Sequence, residues 1–338
     1  MNGFRILCFF LFLLTSFQTK AQIEKTYLME KETVGEEQIY HFSAGVSLAF
    51  KRPKTLQWVK RIPGNLYDFG KEAFQKKHTG KIAAVLGVTT LMVIYDQQII
   101  DASQRFGNDI GLSGDIENYV PFSLKLSEGF DLGILLPANL NTSFYFLGDG
   151  ITHLGLSAGM YFWGMAKNDY RAMQTSTQLT EGIVSIGIMT QFLKHITGRQ
   201  SPFKSTQDGG LWRVFPNQAD YSQNVPSYDA FPSGHLATAM VTVTILAENY
   251  PEKRYIRPLG YSLMGVLAYS MLNNGVHWIS DYPLSIAMGY VVGKVTVARG
   301  RRRIVREQNG QASNFQKNSR WTPMYSPNFV GLGWQYSF

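Results

Sequence analysis

Two histidines and an aspartate define the chemistry available to this chain. His277 and Asp281 stand four residues apart in His-Trp-Ile-Ser-Asp. On a helix that spacing puts both side chains on one face. A carboxylate against one imidazole nitrogen fixes the tautomer and leaves the other nitrogen free as nucleophile or base. His235 closes a second block, Pro232-Ser233-Gly234-His235, just ahead of the apolar run Leu236 to Leu246. Ser233 is a good N-cap, and Gly234 allows close backbone approach to an anion. A helix N-terminus offers free N–H groups and partial positive charge, which suits phosphate. Lys194 and Arg199 lie in a third block, Lys194 to Pro202. An arginine grips phosphate oxygens in a fork, and a lysine acts as a point charge.

Taken singly, each block has an ordinary structural reading: a histidine at a helix start, or a surface His–Asp pair. Taken together, in this order and with these gaps, they resemble the type 2 phosphatidic acid phosphatase and vanadium haloperoxidase superfamily over roughly residues 81–299. The family pattern is Lys, six residues, Arg-Pro; then Pro-Ser-Gly-His; then Ser-Arg, five residues, His, three residues, Asp. The resemblance implies an all-α fold, a six-helix bundle of this type, and a metal-independent phosphatase that needs no cofactor. It implies that His277 attacks phosphorus to form a phosphohistidine and that Asp281 orients it. It gives His235 the protonation of the leaving group. Lys194, Ser233 and Gly234 would hold the phosphate oxygens. Two positions depart from the pattern: Ser201 and Met271 stand where the family carries arginine. Arg199 is the nearest replacement clamp, with Lys204 and Arg213 as further loop cations, and Met271→Arg would be expected to restore a missing charge.

The elements that must position these groups read as six helical segments, at 81–99, 143–165, 171–197, 235–250, 255–273 and 279–299. Gly289 and Gly293 make a GxxxG spacing suited to close helix packing. The segment 101–142 reads as a long connection folding over the site, and 203–230 as a polar, substrate-facing loop. His41, His78, His153 and His195 lack partners at metal-ligand spacing, so no metal site is expected. Residues 51–81 read as a polar basic segment with a turn at Ile62-Pro63-Gly64. Alternating residues over Tyr40–Phe50 read as a strand. The same period appears at Val330, Leu332, Trp334, Tyr336 and Phe338, a strand that resembles the closing strand of an outer-membrane barrel. The two stretches are expected to pair with each other, because a lone strand leaves its backbone groups unpaired.

Residues 1–21 read as a signal peptide, with Arg5 ahead of an apolar stretch and Thr19-Lys20-Ala21 before Gln22. The single cysteine, Cys8, lies inside it. Four parts follow: 1–21 signal, 22–80 with one strand, 81–300 the helical phosphatase core, and 301–338 a basic and polar tail ending in the aromatic strand. The 338 residues carry 32 basic and 24 acidic side chains, a net +8. That favours anionic partners such as a phosphorylated lipid, a small phosphoester or a membrane surface. No nucleic-acid motif accompanies the charge. Basic clusters at 76–81, 253–257 and 299–306 fall at helix ends away from the site. Mean hydropathy is −0.11, low for six membrane spans. The expected location is the cell envelope, periplasmic after signal cleavage, with membrane association open. Three functions remain open on the sequence: an envelope-lipid phosphatase, a vanadate-dependent haloperoxidase, and a non-catalytic phosphate- or lipid-binding protein. Oligomeric state is not indicated.

Overall fold

The computed structural model describes residues 27–43, 45–127, 130–305, 319–326 and 329–336, with side chains described outside 122–134 and 305–338. The expected signal peptide lies outside the described residues. Among them the fold is mainly α, with short strands near both ends of the chain, as expected. The helices are α1 (Gln57–Ala73), α2 (Thr79–Asp109), α3 (Leu140–Tyr145), α4 (Gly150–Ala166), α5 (Tyr170–Thr197), α6 (Gln218–Gln223), α7 (Gly234–Asn249), α8 (Ile256–Asn273) and α9 (Tyr282–Gly300). The strands are β1 (Leu28–Val34), β2 (Glu37–Phe42), β3 (Val46–Lys51), β4 (Asn118–Ser127), β5 (Phe130–Pro137), β6 (Arg302–Val305), β7 (Ser319–Ser326) and β8 (Phe329–Tyr336).

Helix α7, which starts at the Pro-Ser-Gly-His block, is the centre of the bundle. It is apolar on nearly every side and is buried on nearly every side, the behaviour of a helix surrounded by others. It packs on α9, α5 and α8. One apolar cluster joins it to α2, α8 and the Trp278 turn through Ile99, Leu236, Leu267 and Met271. A second joins it to α5 and α9 through Leu179, Ile186, Val241 and Val292. Gly289 and Gly293 lie directly against Ala237 and Thr244 of α7, where a Cβ would find no room. The close packing expected from their spacing is therefore present.

Several expectations change. Residues 51–81 are polar and largely exposed as expected, but they hold no turn at Pro63; they contain α1, which runs through Pro63 and packs on α5 and α9. Tertiary packing and an Asp68–Arg299 ion pair at 2.5 Å offset the hydrogen bond that proline removes. The segment 101–142 is not a plain connection. Helix α2 continues to Asp109, and β4 and β5 form an antiparallel pair. The helix expected at 143–165 is split into α3 and α4.

The period-2 stretch Tyr40–Phe50 is two strands rather than one. The chain reverses between them, closed by the Gly45 N–H on the Phe42 carbonyl at 3.2 Å. The sheet order is β1-β2-β3-β6. Where one strand was expected in residues 22–80, the described residues there hold three. The second compact unit, residues 305–338, contains β7 and β8, paired antiparallel from Ser319↔Tyr336 to Ser326↔Phe329. The aromatic strand thus finds its partner in the neighbouring strand β7, and the expected pairing with Tyr40–Phe50 is overturned. A hairpin costs far less loop-closure entropy than a pairing across most of the chain.

Candidate active site

Helix α5 ends at Thr197, and Gly198 in left-handed conformation (φ 53°) caps it, its N–H bonding the Lys194 carbonyl at 3.0 Å. Glycine suits this conformation. A Cβ here would also collide with the Arg213 carbonyl. The turn delivers Arg199 into the bundle, where it is fully buried. Its Nη1 donates to Ser280 Oγ at 2.7 Å and Asp281 Oδ1 at 2.5 Å. Its Nη2 donates to Asp96 Oδ2 at 2.5 Å and the Gly209 carbonyl at 3.2 Å. The Trp212 ring lies 4.5 Å from the guanidinium and the Trp278 ring 5.3 Å. Both terminal nitrogens are therefore committed to protein oxygens. The expectation that Arg199 clamps phosphate is corrected on this geometry: Arg199 is a strut behind the third block.

Asp96, on α2, was not expected in the site. Its Oδ1 accepts the Ser280 N–H at 3.0 Å, and its Oδ2 accepts the Ser280 hydroxyl at 2.6 Å as well as Arg199. Burial pushes its carboxyl up to about 6, with the Asp281 charge adding and the Arg199 charge opposing. The one sequence signal was an acid standing alone in the apolar run Ile82–Ile100. A buried acid usually requires a partner.

His277 is 2% exposed. It does not share a helix with Asp281. It sits in the turn after α8, and Asp281 closes a one-turn 3-10 helix, Ile279–Asp281. The carboxylate folds back so that Oδ2 accepts the Trp278 N–H at 2.8 Å and faces His277 Nδ1 at 3.3 Å. The pair forms as expected, by a tight turn instead of a helix face. Trp278 is fixed in turn by its indole N–H on the Gln200 carbonyl at 2.8 Å. With Nδ1 directed at the carboxylate, Nε2 is the nitrogen left for chemistry.

At the start of α7 the Ser233 hydroxyl accepts the Leu236 N–H at 3.4 Å, the expected N-cap. The Ser233 N–H donates to the Asp281 carbonyl at 3.2 Å, tying the second block to the third. Lys194 Nζ lies 4.0 Å from the position a Cβ would occupy on Gly234. The lysine is held at 3.1 Å by Asp229 Oδ2. Asp229 was also missed; it belongs to the 203–230 loop, which supplies this carboxylate and the Trp212 ring. Arg213, weighed as a loop cation, donates to the Ser227 carbonyl at 3.0 Å and stacks on Tyr228. Met271 is fully buried, with the Ser233 hydroxyl 3.6 Å from its sulfur. Ser201 is buried too, with its N–H on the Pro226 carbonyl at 3.0 Å.

The His235 ring stands 6.2 Å from that of His277, centre to centre, and 4.3 Å from Tyr145. Burial, and then the neighbouring His277 and Lys194, push His235 down to about 3. Two imidazoles, an ammonium and a helix N-terminus thus surround one small space. Such a space can hold an anion beside two imidazoles. The structure brings together His277, His235, Asp281, Lys194, Ser233 and Gly234. Arg199 it sets behind them.

The model of the PAP2 superfamily matches residues 176–304, which include all three blocks. No curated protein and no solved structure matches at a significant level.

Proposed function

We propose, from the premise that residues 176–304 form a PAP2 superfamily domain, that this chain is a metal-independent phosphatase acting on an envelope lipid. The substrate is a phosphomonoester or pyrophosphate, and the reaction runs through a phosphohistidine on His277. The observation that carries this reading is the pair of imidazoles set edge-on with ring centres 6.2 Å apart, one of them backed by Asp281. A phosphate seated against this pair has a nucleophile and a proton carrier within the same site, the two groups that phosphoryl transfer through a phosphohistidine requires.

His277 Nε2 attacks phosphorus and the bond from phosphorus to the leaving oxygen breaks. His235 passes a proton to that oxygen. Because His235 is neutral in the free site, the proton arrives with the substrate as a phosphate monoanion. Water then attacks the phosphohistidine, gives its proton to His235, and inorganic phosphate leaves. Lys194 and the N–H groups at the start of α7 hold the charge that develops on the equatorial oxygens.

A lipid substrate and a membrane-associated location are supported by the outer surface. Leu91 and Ile94 on α2, Ile151, Phe162 and Trp163 on α4, and Phe192 on α5 are all exposed. So much exposed apolar surface marks an interaction site. Helix α2 with its leading turn, residues 76–109, is long and apolar enough to cross a membrane. The positions where the family pattern has arginine hold a packed thioether and a buried serine, which favours the phosphatase over a vanadate cofactor site.

Phosphate release from lipid phosphates in the presence of chelator tests the reading. Wild-type protein should turn over and yield an acid-labile phosphoenzyme, and His277→Ala should do neither while remaining folded. Near-normal turnover by that variant would sink the assignment.

A further inference from the structure

The C-terminal end of α7, remote from His235, borders a polar cavity. It measures about 280 Å³ and is lined by Arg257, Arg301, Arg303 and Glu248, with Phe42 and Leu48 as an apolar floor. Glu248 lies 13 residues along α7 from His235, about 20 Å at 1.5 Å per residue, so the two sites are separate.

Charge is unbalanced there. The Glu248 carboxylate meets Arg257 at 2.9 Å, Lys294 at 3.1 Å and Arg301 at 3.3 Å. One carboxylate answers three cations, and Arg303 adds a fourth. Among the described residues no acceptor reaches the Arg303 guanidinium. The neighbouring Arg171 and Glu252 pair at 2.8 Å and leave nothing over. Arg301 is pushed down to about 10 by burial, against the pull of Glu248 and with Arg303 and Arg171 adding. An excess of positive charge around one cavity attracts an anion.

We propose that this cavity binds a phosphate group, gripped by Arg303 and Arg257, while Arg301 stays bonded to the Glu248 carbonyl and carboxylate and to Asn249 behind them. Guanidinium forks suit phosphate oxygens. The floor of Phe42 and Leu48 accommodates an apolar substituent on the same molecule. Neither histidine nor another nucleophile lines the cavity, so the site holds the phosphate without cleaving it. Free phosphate and a phospholipid headgroup share this chemistry.

The test uses the full chain with His277→Ala and Lys194→Ala, which silence the catalytic seat. Inorganic phosphate and monomeric dihexanoyl phosphatidate are titrated separately by calorimetry. One equivalent of at least one ligand should bind. Binding of both makes phosphate the recognised unit, and binding of the lipid alone makes it a lipid site. Adding Arg303→Glu or Arg257→Gln should weaken binding at least about tenfold, the scale of losing a charged hydrogen bond. Arg302→Ala, on a residue that pairs with Glu37 instead, should leave it unchanged. Arg303 is exposed, so its variant keeps the fold, and thermal unfolding verifies this. Absence of binding by either ligand, or affinity indifferent to both arginine variants, overturns the proposal. Neither result bears on turnover by His277, which is measured in the chain with its catalytic seat intact.

Discussion

Arg199 and His277 grip the same carboxylate from opposite sides. Arg199 Nη1 lies 2.5 Å from Asp281 Oδ1, and His277 Nδ1 lies 3.3 Å from Oδ2. The arginine is itself anchored at its other nitrogen by Asp96. The orientation of His277 therefore depends on a buried line of charges that starts on α2.

That line makes Asp96 a positioning residue. Asp96→Ala leaves Arg199 with one carboxylate and strips the Ser280 N–H of its acceptor. Breaking a buried pair in this way typically costs about 3–5 kcal/mol, so urea unfolding should show a loss of that order. Asp96→Asn keeps the shape and should lose less stability. In the folded Asp96→Asn protein kcat should fall about tenfold or more with little change in KM, as expected when the orientation of a nucleophile is loosened. A folded variant with wild-type kcat would remove Asp96 from the mechanism.

Met271→Arg should not restore activity, contrary to the sequence-based expectation. The side chain is fully buried among Ile99, Leu267 and Trp278. An arginine there is both overpacked and unpaired, and each effect costs kilocalories. The expected outcome is a lower melting temperature and turnover no higher than wild type. A folded variant with raised kcat would show that the pocket opens toward position 271.

The low pKa of His235 predicts a pH profile. The free site holds His235 neutral above about pH 3, so the proton for the leaving group must arrive on the substrate. A phosphate monoester loses its second proton at about pH 6. kcat/KM should therefore fall as pH rises from 6 to 8. A flat or rising profile over that interval would mean that the proton has another source.

Glu181 gives a stability test far from the chemistry. It is fully buried in α5 with Arg61 at 3.6 Å. Burial pushes its carboxyl up to about 7, against the pull of Arg61 and Asn65. The folded state thus keeps this proton where the unfolded chain, near 4.5, has lost it. The stabilising contribution is complete below about pH 4.5 and disappears as pH rises through about 7, a change of about 3 kcal/mol. Glu181→Gln removes the effect. Its melting temperature relative to wild type should rise between pH 5 and pH 8, and a constant difference would refute the raised pKa.

Much of the site was legible because its parts are short local patterns. His277 with Asp281, Ser233 with Gly234 and His235, and Lys194 can be read without knowing the fold. The central helices were legible from their apolar runs. What escaped were contacts that no local pattern encodes. Asp96 meets Ser280 across 184 residues, and Asp229 is a lone acid in a polar loop. Arg199 was assigned by charge type, but its partners decide its role, and they come from α2 and the Trp278 turn. Helix α1 was hidden by Pro63 and its basic residues, since tertiary packing overrode local preference. Strand period was read correctly at both ends of the chain, while pairing was not, because period carries no information about partners.

The 184-residue span between Asp96 and Ser280 also governs biogenesis. The ribosome must deliver α2 through the start of α9 before the carboxylate, the guanidinium and the imidazole can meet. Until then Asp96 and Arg199 are charged groups without their full set of partners inside an apolar assembly. Contacts of such long separation form late and slowly. The nascent chain therefore passes most of its synthesis without the His277–Asp281–Arg199–Asp96 line, and termination anywhere before Asp281 yields helices that cannot assemble it.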